Sequence, residues 1–174
     1  MGATYRAQVA ILDEILHAAE EVEHHVHNYE DSFGLAAVPV GETHRADDMS
    51  GTPFQFTAGN NTWGNWLQIL GSEDTPFRSS KTKFDLSFIH IVDANNANVY
   101  KIQIAFGASG AAGLAAGAYT EFYYKRAAAS NRASQDNILN KRVNVGTKVW
   151  ARIWCVGASG STLDAFFGSH EYDE

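Results

Sequence analysis

Of all the residues in this sequence, three histidines in the segment EVEHHVHNYEDSFG, residues 21–34, have the residue type and spacing that best suit a reactive site. His24 and His27 lie three residues apart, so on a helix both could reach one metal ion, with Glu20 or Glu23 as a third ligand. The same histidines could act as a pH switch. They could also simply end a helix, where histidines interact favourably with the helix dipole and with neighbouring acids. We expect the helix end, and therefore predict no metal and no cofactor.

Two tryptophans in the segment TAGNNTWGNWLQI, residues 57–69, give a second candidate site. Trp63 and Trp66 stand beside three asparagines that could line a ligand platform with them: Asn60, Asn61 and Asn65. If the rings are exposed, aromatic faces with amide neighbours would suit a bound sugar. We expect instead that both rings are buried in the core or at a subunit interface, because burial of aromatic rings contributes strongly to the stability of both.

Other catalytic patterns are weak in this sequence. The glycines of GASGAAGLAAGA, residues 107–118, do not follow a phosphate-binding spacing, so we expect this loop to pack closely against a neighbouring element. The adjacent acids Asp47 and Asp48 fit a solvated turn better than a carboxylate pair across a cleft. The lone cysteine, Cys155, lies in a strand-like stretch and is expected to be a buried core thiol. The sequence therefore predicts a protein that is not an enzyme.

Charge is distributed unevenly along the chain. The formal net charge is −7 at pH 7, and residues 1–31 carry seven acids against one base, Arg6. The remaining residues carry 13 acids and 12 bases and are nearly neutral. A nucleic-acid-binding surface would need clustered lysine and arginine, and no apolar run approaches the roughly 18 residues of a membrane-spanning helix. We therefore expect neither a nucleic acid nor a membrane as a direct partner.

The N-terminal segment has the composition of a helix, because residues 3–30 contain neither proline nor glycine and are rich in helix-forming residues. Its apolar residues recur at spacings of three and four and form a face wider than a surface helix needs. This helix could pack on its own domain, or it could join other copies of the chain or a host surface. We favour oligomerisation or docking and assign it to seven apolar positions: Val9, Leu12, Ile15, Leu16, Ala19, Val22 and Val26.

After Gly34 the pattern changes to the alternation that is typical of β-strands. Eight candidate strands lie at residues 35–41, 52–59, 65–72, 83–93, 98–107, 119–125, 148–157 and 162–172, with long loops at 107–118 and 126–147. No helical pattern is interleaved between them, which disfavours a parallel α/β sheet. The sequence predicts a mainly β fold, a jelly-roll-like antiparallel β-sandwich with an N-terminal α-helix. The helix would occupy residues 1–33 and the sandwich body residues 34–174.

Three segments carry a resemblance to a known group of proteins: HNYEDSFG (27–34), FTAGNNTWGNWLQILGSEDTP (56–76) and GTKVWARIWCVGASGSTLDAFFGSHEYDE (146–174). They resemble small virion structural proteins of tailed bacteriophages, including the cement or decoration proteins of capsids. The likeness extends over about residues 24–174. It implies a β-sandwich body, commonly trimeric, that clamps onto the major capsid protein after assembly and reinforces the shell. The family has no catalytic residues to transfer, and it includes proteins placed in a tail or neck.

Pattern and resemblance together predict a non-enzymatic structural protein of a virion, of the capsid cement or decoration type. Its partners would be two further copies in a homotrimer and the major capsid protein. It would be made in the host cytoplasm and would finally lie on the capsid surface. The alternative is a carbohydrate- or receptor-binding appendage of the virion, of the tail or fibre type, that would use Trp63 and Trp66.

Overall fold

The computed structural model describes residues 31–33, 52–71, 82–126, 134–157 and 159–172. These residues form ten β-strands and one short helix. Residues 1–30 of the predicted N-terminal helix lie outside the described residues, together with its seven apolar positions and with His24 and His27. The candidate strand at 35–41 also lies outside them. Within the described residues, no helix is long and apolar enough to cross a membrane.

The strands are β1 (Asp31–Phe33), β2 (Phe54–Ala58), β3 (Leu67–Leu70), β4 (Lys83–Ala94), β5 (Val99–Phe106), β6 (Tyr119–Lys125), β7 (Ser134–Asn137), β8 (Val143–Asn144), β9 (Val149–Cys155) and β10 (Ser161–Tyr172). The helix α1 (Gly110–Ala115) lies between β5 and β6. Seven of the eight candidate strands correspond to β2, β3, β4, β5, β6, β9 and β10. The prediction of a mainly β, antiparallel fold is therefore confirmed.

The strands form two antiparallel sheets. In the larger sheet β10 and β4 pair along their length at the centre. Both β1 and β2 pair with the outer edge of β10, and both β7 and β8 pair with the outer edge of β4. The smaller sheet has the order β3-β9-β5-β6.

The pairings are nested along the chain. The innermost pair is β5 with β6, followed outward by β4 with β7 and β8, then β3 with β9, and finally β2 with β10. The chain therefore follows the path of one long hairpin that has been folded over. The additional pairs β4 with β10 and β5 with β9 join the nested pairs into two sheets.

One hydrophobic cluster contains the inward side chains of both sheets. The cluster forms because successive side chains of a strand point to opposite faces, so buried and less buried residues alternate in β2 and in β9. Phe54 from β2 meets Phe167 from β10 at 5.8 Å between ring centroids, in an edge-on arrangement. Cys155 is fully buried in the same cluster, which confirms the prediction of a core thiol.

Three segments differ from the sequence-based expectation. The predicted loop 107–118 contains α1, which begins after Ser109, whose Oγ accepts a hydrogen bond from the Ala112 N–H at 3.1 Å. The predicted loop 126–147 contains β7 and β8, two short polar strands that form only because the long strand β4 offers them an open edge. Residues 31–33, predicted as the end of the N-terminal helix, instead form β1 and pair with β10.

Candidate functional site: the aromatic face

All four tryptophans of the chain lie on the outward surface of the smaller sheet. Together with two tyrosines they form the aromatic face: Trp63, Trp66, Trp150, Trp154, Tyr119 and Tyr123. The four tryptophans are half-buried, whereas Tyr123 is 64% exposed and Tyr119 is 45% exposed. None of these six residues belongs to the hydrophobic cluster, so their rings lie outside the core between the sheets.

Strand β9 places two of the tryptophans by simple alternation. In VWARIWC the residues Val149, Ala151, Ile153 and Cys155 face the core, so Trp150, Arg152 and Trp154 face outward. The charged residue between the two tryptophans therefore shares their face. Every second side chain of this strand faces the surface, and the others face the core.

The register of the sheet arranges these side chains and those of β5 and β6 in three rows. The aromatic row is Trp154–Lys101–Tyr123, the polar row is Arg152–Gln103–Glu121, and the covered row is Trp150–Ala105–Tyr119. Ala105 is fully buried because α1 lies over it, and a Cβ at Gly113 would be 3.1 Å from the Ala105 Cβ. The aromatic and polar rows are the part of the face that α1 leaves accessible.

The segment after β2 brings Trp63 and Trp66 to this face. Residues 59–62 form a tight turn in which Asn61 has a φ of 51°, a left-handed conformation that asparagine tolerates. The Asn61 Oδ1 accepts a hydrogen bond of 2.9 Å from the Gly157 N–H, which ties the turn to the residues after β9. The chain then runs antiparallel to β9, with Trp63 opposite Trp154.

The guanidinium of Arg152 lies against both of these rings. Its Cζ is 4.7 Å from the ring centroid of Trp63 and 4.1 Å from that of Trp66, within the range of cation–π attraction. Its Nε donates to the Gln103 Oε1 at 2.8 Å, and the Gln103 Nε2 donates to the Glu121 Oε2 at 3.0 Å. Burial lowers the pKa of Arg152, and the negative charge of Glu121 acts in the opposite direction.

Contacts with α1 and the loop before it fix two further rings. A Cβ at Gly110 would lie 2.1 Å from the Trp66 ring, so the ring packs directly on the helix backbone. The Trp150 Nε1 donates to the Gly107 carbonyl at 3.0 Å. The expectation that segment 107–118 packs closely against a neighbour is therefore confirmed, and the neighbour is the aromatic face.

Lys101 supplies the positive charge of the aromatic row. Its Nζ lies 4.9 Å from the Trp154 ring centroid and 5.5 Å from that of Tyr123. Of the carboxylates in the described ranges, none forms an ion pair with this ammonium group. The ammonium is held by ring faces and keeps its capacity for an anion.

The five residues predicted to form a ligand platform lie on or beside the aromatic face. Trp63 and Trp66 are half-buried and face outward, Asn60 and Asn65 are exposed beside them, and the side chain of Asn61 fixes the turn. The sequence reasoning missed the other half of the face on β5, β6 and β9. The outward parity of Trp150, Arg152 and Trp154 within KVWARIWC was the signal that could have found it.

A second cluster of polar residues lines a groove of about 640 Å³ on the outer side of the larger sheet. The Tyr172 hydroxyl donates to the Asp85 Oδ2 at 2.9 Å, and Arg142 lies 3.7 Å from the Tyr172 ring centroid. Burial, followed by the hydrogen bond to Asp85, raises the pKa of Tyr172 to about 12. His170 Nδ1 lies 3.4 Å from the Asp85 Oδ1, yet that oxygen is buried without a hydrogen bond.

This groove contains a serine, a histidine and an aspartate, but not a catalytic triad. The Ser87 Oγ is buried and has no hydrogen-bond partner, so no base activates it. Across the described part of the chain, no three histidine, cysteine or acidic residues are grouped so that they could hold a metal ion.

Neither a protein-family model nor a curated protein sequence matches this chain. The interpretation of the aromatic face therefore rests on its geometry.

Proposed function

We propose that this chain is a non-enzymatic structural protein of a virion, a capsid cement protein that binds the major capsid protein and stabilises the shell. The observation that carries the proposal is the nested strand pairing of the two sheets. Nested antiparallel pairing in two sheets is the arrangement expected of a jelly-roll β-sandwich, an architecture that recurs in viral capsid and lectin domains. The resemblance of segments 27–34, 56–76 and 146–174 to virion proteins supports the same assignment.

In this proposal the acidic N-terminal segment and the β body have separate roles in assembly and in shell binding. The apolar positions of residues 1–33 hold three copies together or dock on the shell, and the body bridges neighbouring capsomers. Added contacts between capsomers raise the barrier to rupture of the shell. A fold alone does not imply a function. The test therefore has to measure binding to the shell itself.

The test combines solution mass with binding to shells assembled from the major capsid protein of the same virus. We expect light scattering to give three times the chain mass of 19.0 kDa. We also expect the chain to co-sediment with the shells and to raise their rupture temperature. The double variant Leu12→Glu with Leu16→Glu should lose trimerisation or shell binding, because it places charges on the apolar face.

The matched control is Asp13→Glu with Glu14→Asp, two changes in the same segment that keep its charge and lie outside the seven apolar positions, and it should leave both properties unchanged. A wild-type chain that does not bind the shells would refute the cement role. Unchanged mass and shell binding in the Leu12 and Leu16 variant would refute the role of the N-terminal segment.

A carbohydrate- or receptor-binding appendage is the second candidate, because one observation favours it: all four tryptophans gather on one outward face. The two roles are compatible, since the aromatic face occupies only the outward surface of the smaller sheet and leaves the rest of the body for contacts with capsomers.

A further inference from the structure

We propose that the aromatic face binds a saccharide that carries a carboxylate group, with Lys101 as the partner of the carboxylate and with Trp154 and Tyr123 stacked on the sugar rings. This activity goes beyond the structural role proposed above and does not depend on it, because the residues involved belong to β5, β6 and β9.

The geometry of the aromatic row suits a thin, extended ligand. Trp154, Lys101 and Tyr123 lie on three adjacent strands, which places the two rings about 10 Å apart, or two strand spacings. Both rings contact the Lys101 ammonium between them. Sugar rings have apolar C–H faces and polar edges, so a chain along this row can pack on the parts of the two aromatic rings that Lys101 does not cover and present its edges to the polar row.

The polar row retains hydrogen-bonding capacity for hydroxyl groups. A guanidinium has five N–H donors, and Arg152 uses its Nε for Gln103. Glu121 accepts from Gln103 through Oε2 and is exposed at the edge of the sheet. Because Gln103 is 4% exposed and bridges the two charged groups, the donors and acceptors are fixed before a ligand arrives, which lowers the entropy cost of binding.

The charges select an acidic saccharide over a neutral one. Arg152 and Glu121 are linked through Gln103, so the polar row is neutral as a unit. Lys101 remains without a carboxylate in the described structure. The whole chain has a net charge of −7 and repels anions at long range. A local contact with Lys101 is therefore needed for an acidic ligand, and that contact makes the site selective.

A saccharide fits this face better than a broad protein surface does. The centres of protein interfaces are depleted of lysine and glutamate, although tryptophan, tyrosine and arginine are enriched there, and a flat protein partner would cover both Lys101 and Glu121. Buried charges without full compensation are costly. A narrow saccharide chain leaves these groups in contact with solvent at its edges, so the desolvation cost is smaller.

Intrinsic fluorescence of the full chain provides the test, because every tryptophan of the protein lies on the aromatic face. The probes are trigalacturonate, 3′-sialyllactose and the neutral control cellotriose. We expect a saturable change of emission with at least one acidic saccharide and a weaker response to cellotriose. The two acidic probes distinguish a uronate from a sialate as the source of the carboxylate.

Variants then assign the residues. We expect Lys101→Met to weaken binding of the acidic probe about fivefold, the size of a partly exposed ion pair, and Lys101→Arg to restore most of it. Tyr123→Ala should weaken binding without unfolding the protein, since this ring is largely exposed. Lys141→Met removes a charge from the groove on the larger sheet and serves as the matched control with unchanged affinity.

Three outcomes would overturn the proposal: no response to either acidic saccharide, equal or tighter binding of cellotriose, or a Lys101→Met affinity equal to that of the wild type. Circular dichroism and melting of each variant separate loss of binding from loss of folding. Shell binding is measured independently, so a failure here is distinguishable from a failure of the cement role.

Discussion

Tyr172 is the residue at which a hydrogen bond and a titration are coupled to the stability of the fold. Its hydroxyl donates to the Asp85 carboxylate, and burial together with this bond raises the pKa of Tyr172 to about 12 from the ordinary 10.0. The neutral phenol is therefore favoured in the folded state. The stability that it contributes is fully present below pH 10 and is lost as the pH rises through 12.

We expect the Tyr172→Phe variant to be less stable than the wild type at pH 8 by about 1–3 kcal/mol, because Asp85 loses its donor. The difference should shrink as the pH rises from about 10 to about 12, since the wild type alone loses the contribution of the neutral phenol. Urea unfolding across this pH range measures both effects. If the difference in unfolding free energy between the two proteins stays constant over this pH range, the proposed link between Tyr172 ionisation and stability is wrong.

Strand β9 and the segment that runs beside it form the element on which the candidate site depends. The Gly64 N–H donates to the Ile153 carbonyl at 2.8 Å, and Trp63 lies opposite Trp154. A Cβ at Gly64 would be 1.8 Å from the backbone oxygen of Thr57, so no side chain can be accommodated without a shift of the backbone. The segment therefore reaches its register beside β9 only because position 64 is glycine.

We expect Gly64→Ala to lower the free energy of unfolding by about 1–3 kcal/mol, the usual range for overpacking. It should also change the tryptophan emission of the folded protein, because Trp63 has to move relative to Arg152. Asn65→Ala is the matched control: this exposed neighbour should change stability by at most about 0.5 kcal/mol. A Gly64→Ala protein with wild-type stability and emission would show that the close approach does not constrain the segment.

On the scale of the whole molecule, the acidic charge is concentrated in the N-terminal segment. Residues 1–31 hold seven acids and one base, and the remainder is nearly neutral. If three copies associate through the N-terminal segment, their acidic residues repel one another over a screening length of about 8 Å at physiological salt. His24, His25 and His27 can relieve this repulsion when they take up protons.

We therefore expect the trimer to associate more tightly at about 0.5 M than at about 0.05 M salt, because screening reduces the repulsion. Association should also strengthen from about pH 8 to about pH 5.5, as the histidines become charged. Sedimentation equilibrium of the full chain measures both trends. An association constant that is unchanged under all four conditions would contradict a trimer assembled through the acidic segment.

The sequence alone determined where most strands lie and which of their residues face the core. Alternation is a local property, so KVWARIWC predicted both the strand β9 and the burial of Cys155. The short strands β7 and β8 were missed because SQDN and VN carry no apolar pattern. These residues form strands because they pair with β4, and this pairing leaves no local pattern in the sequence. The helix α1 was missed because its Gly- and Ala-rich residues show no amphipathic period.

Only the tertiary structure decided which side chains meet. Trp63 and Trp66 are far from Trp154 and Tyr123 in sequence, and the pairings beside β9 and β5 place them on one face. Sequence reasoning located half of this face but favoured burial of Trp63 and Trp66 in the core or at an interface, whereas both lie outside the core cluster. Alternation gives the side of a strand but not its neighbours. Register is a non-local property set by packing of the whole core. The sequence therefore determined the strands and their core-facing side chains, whereas the tertiary structure decided that the tryptophans, Arg152 and Lys101 form one surface.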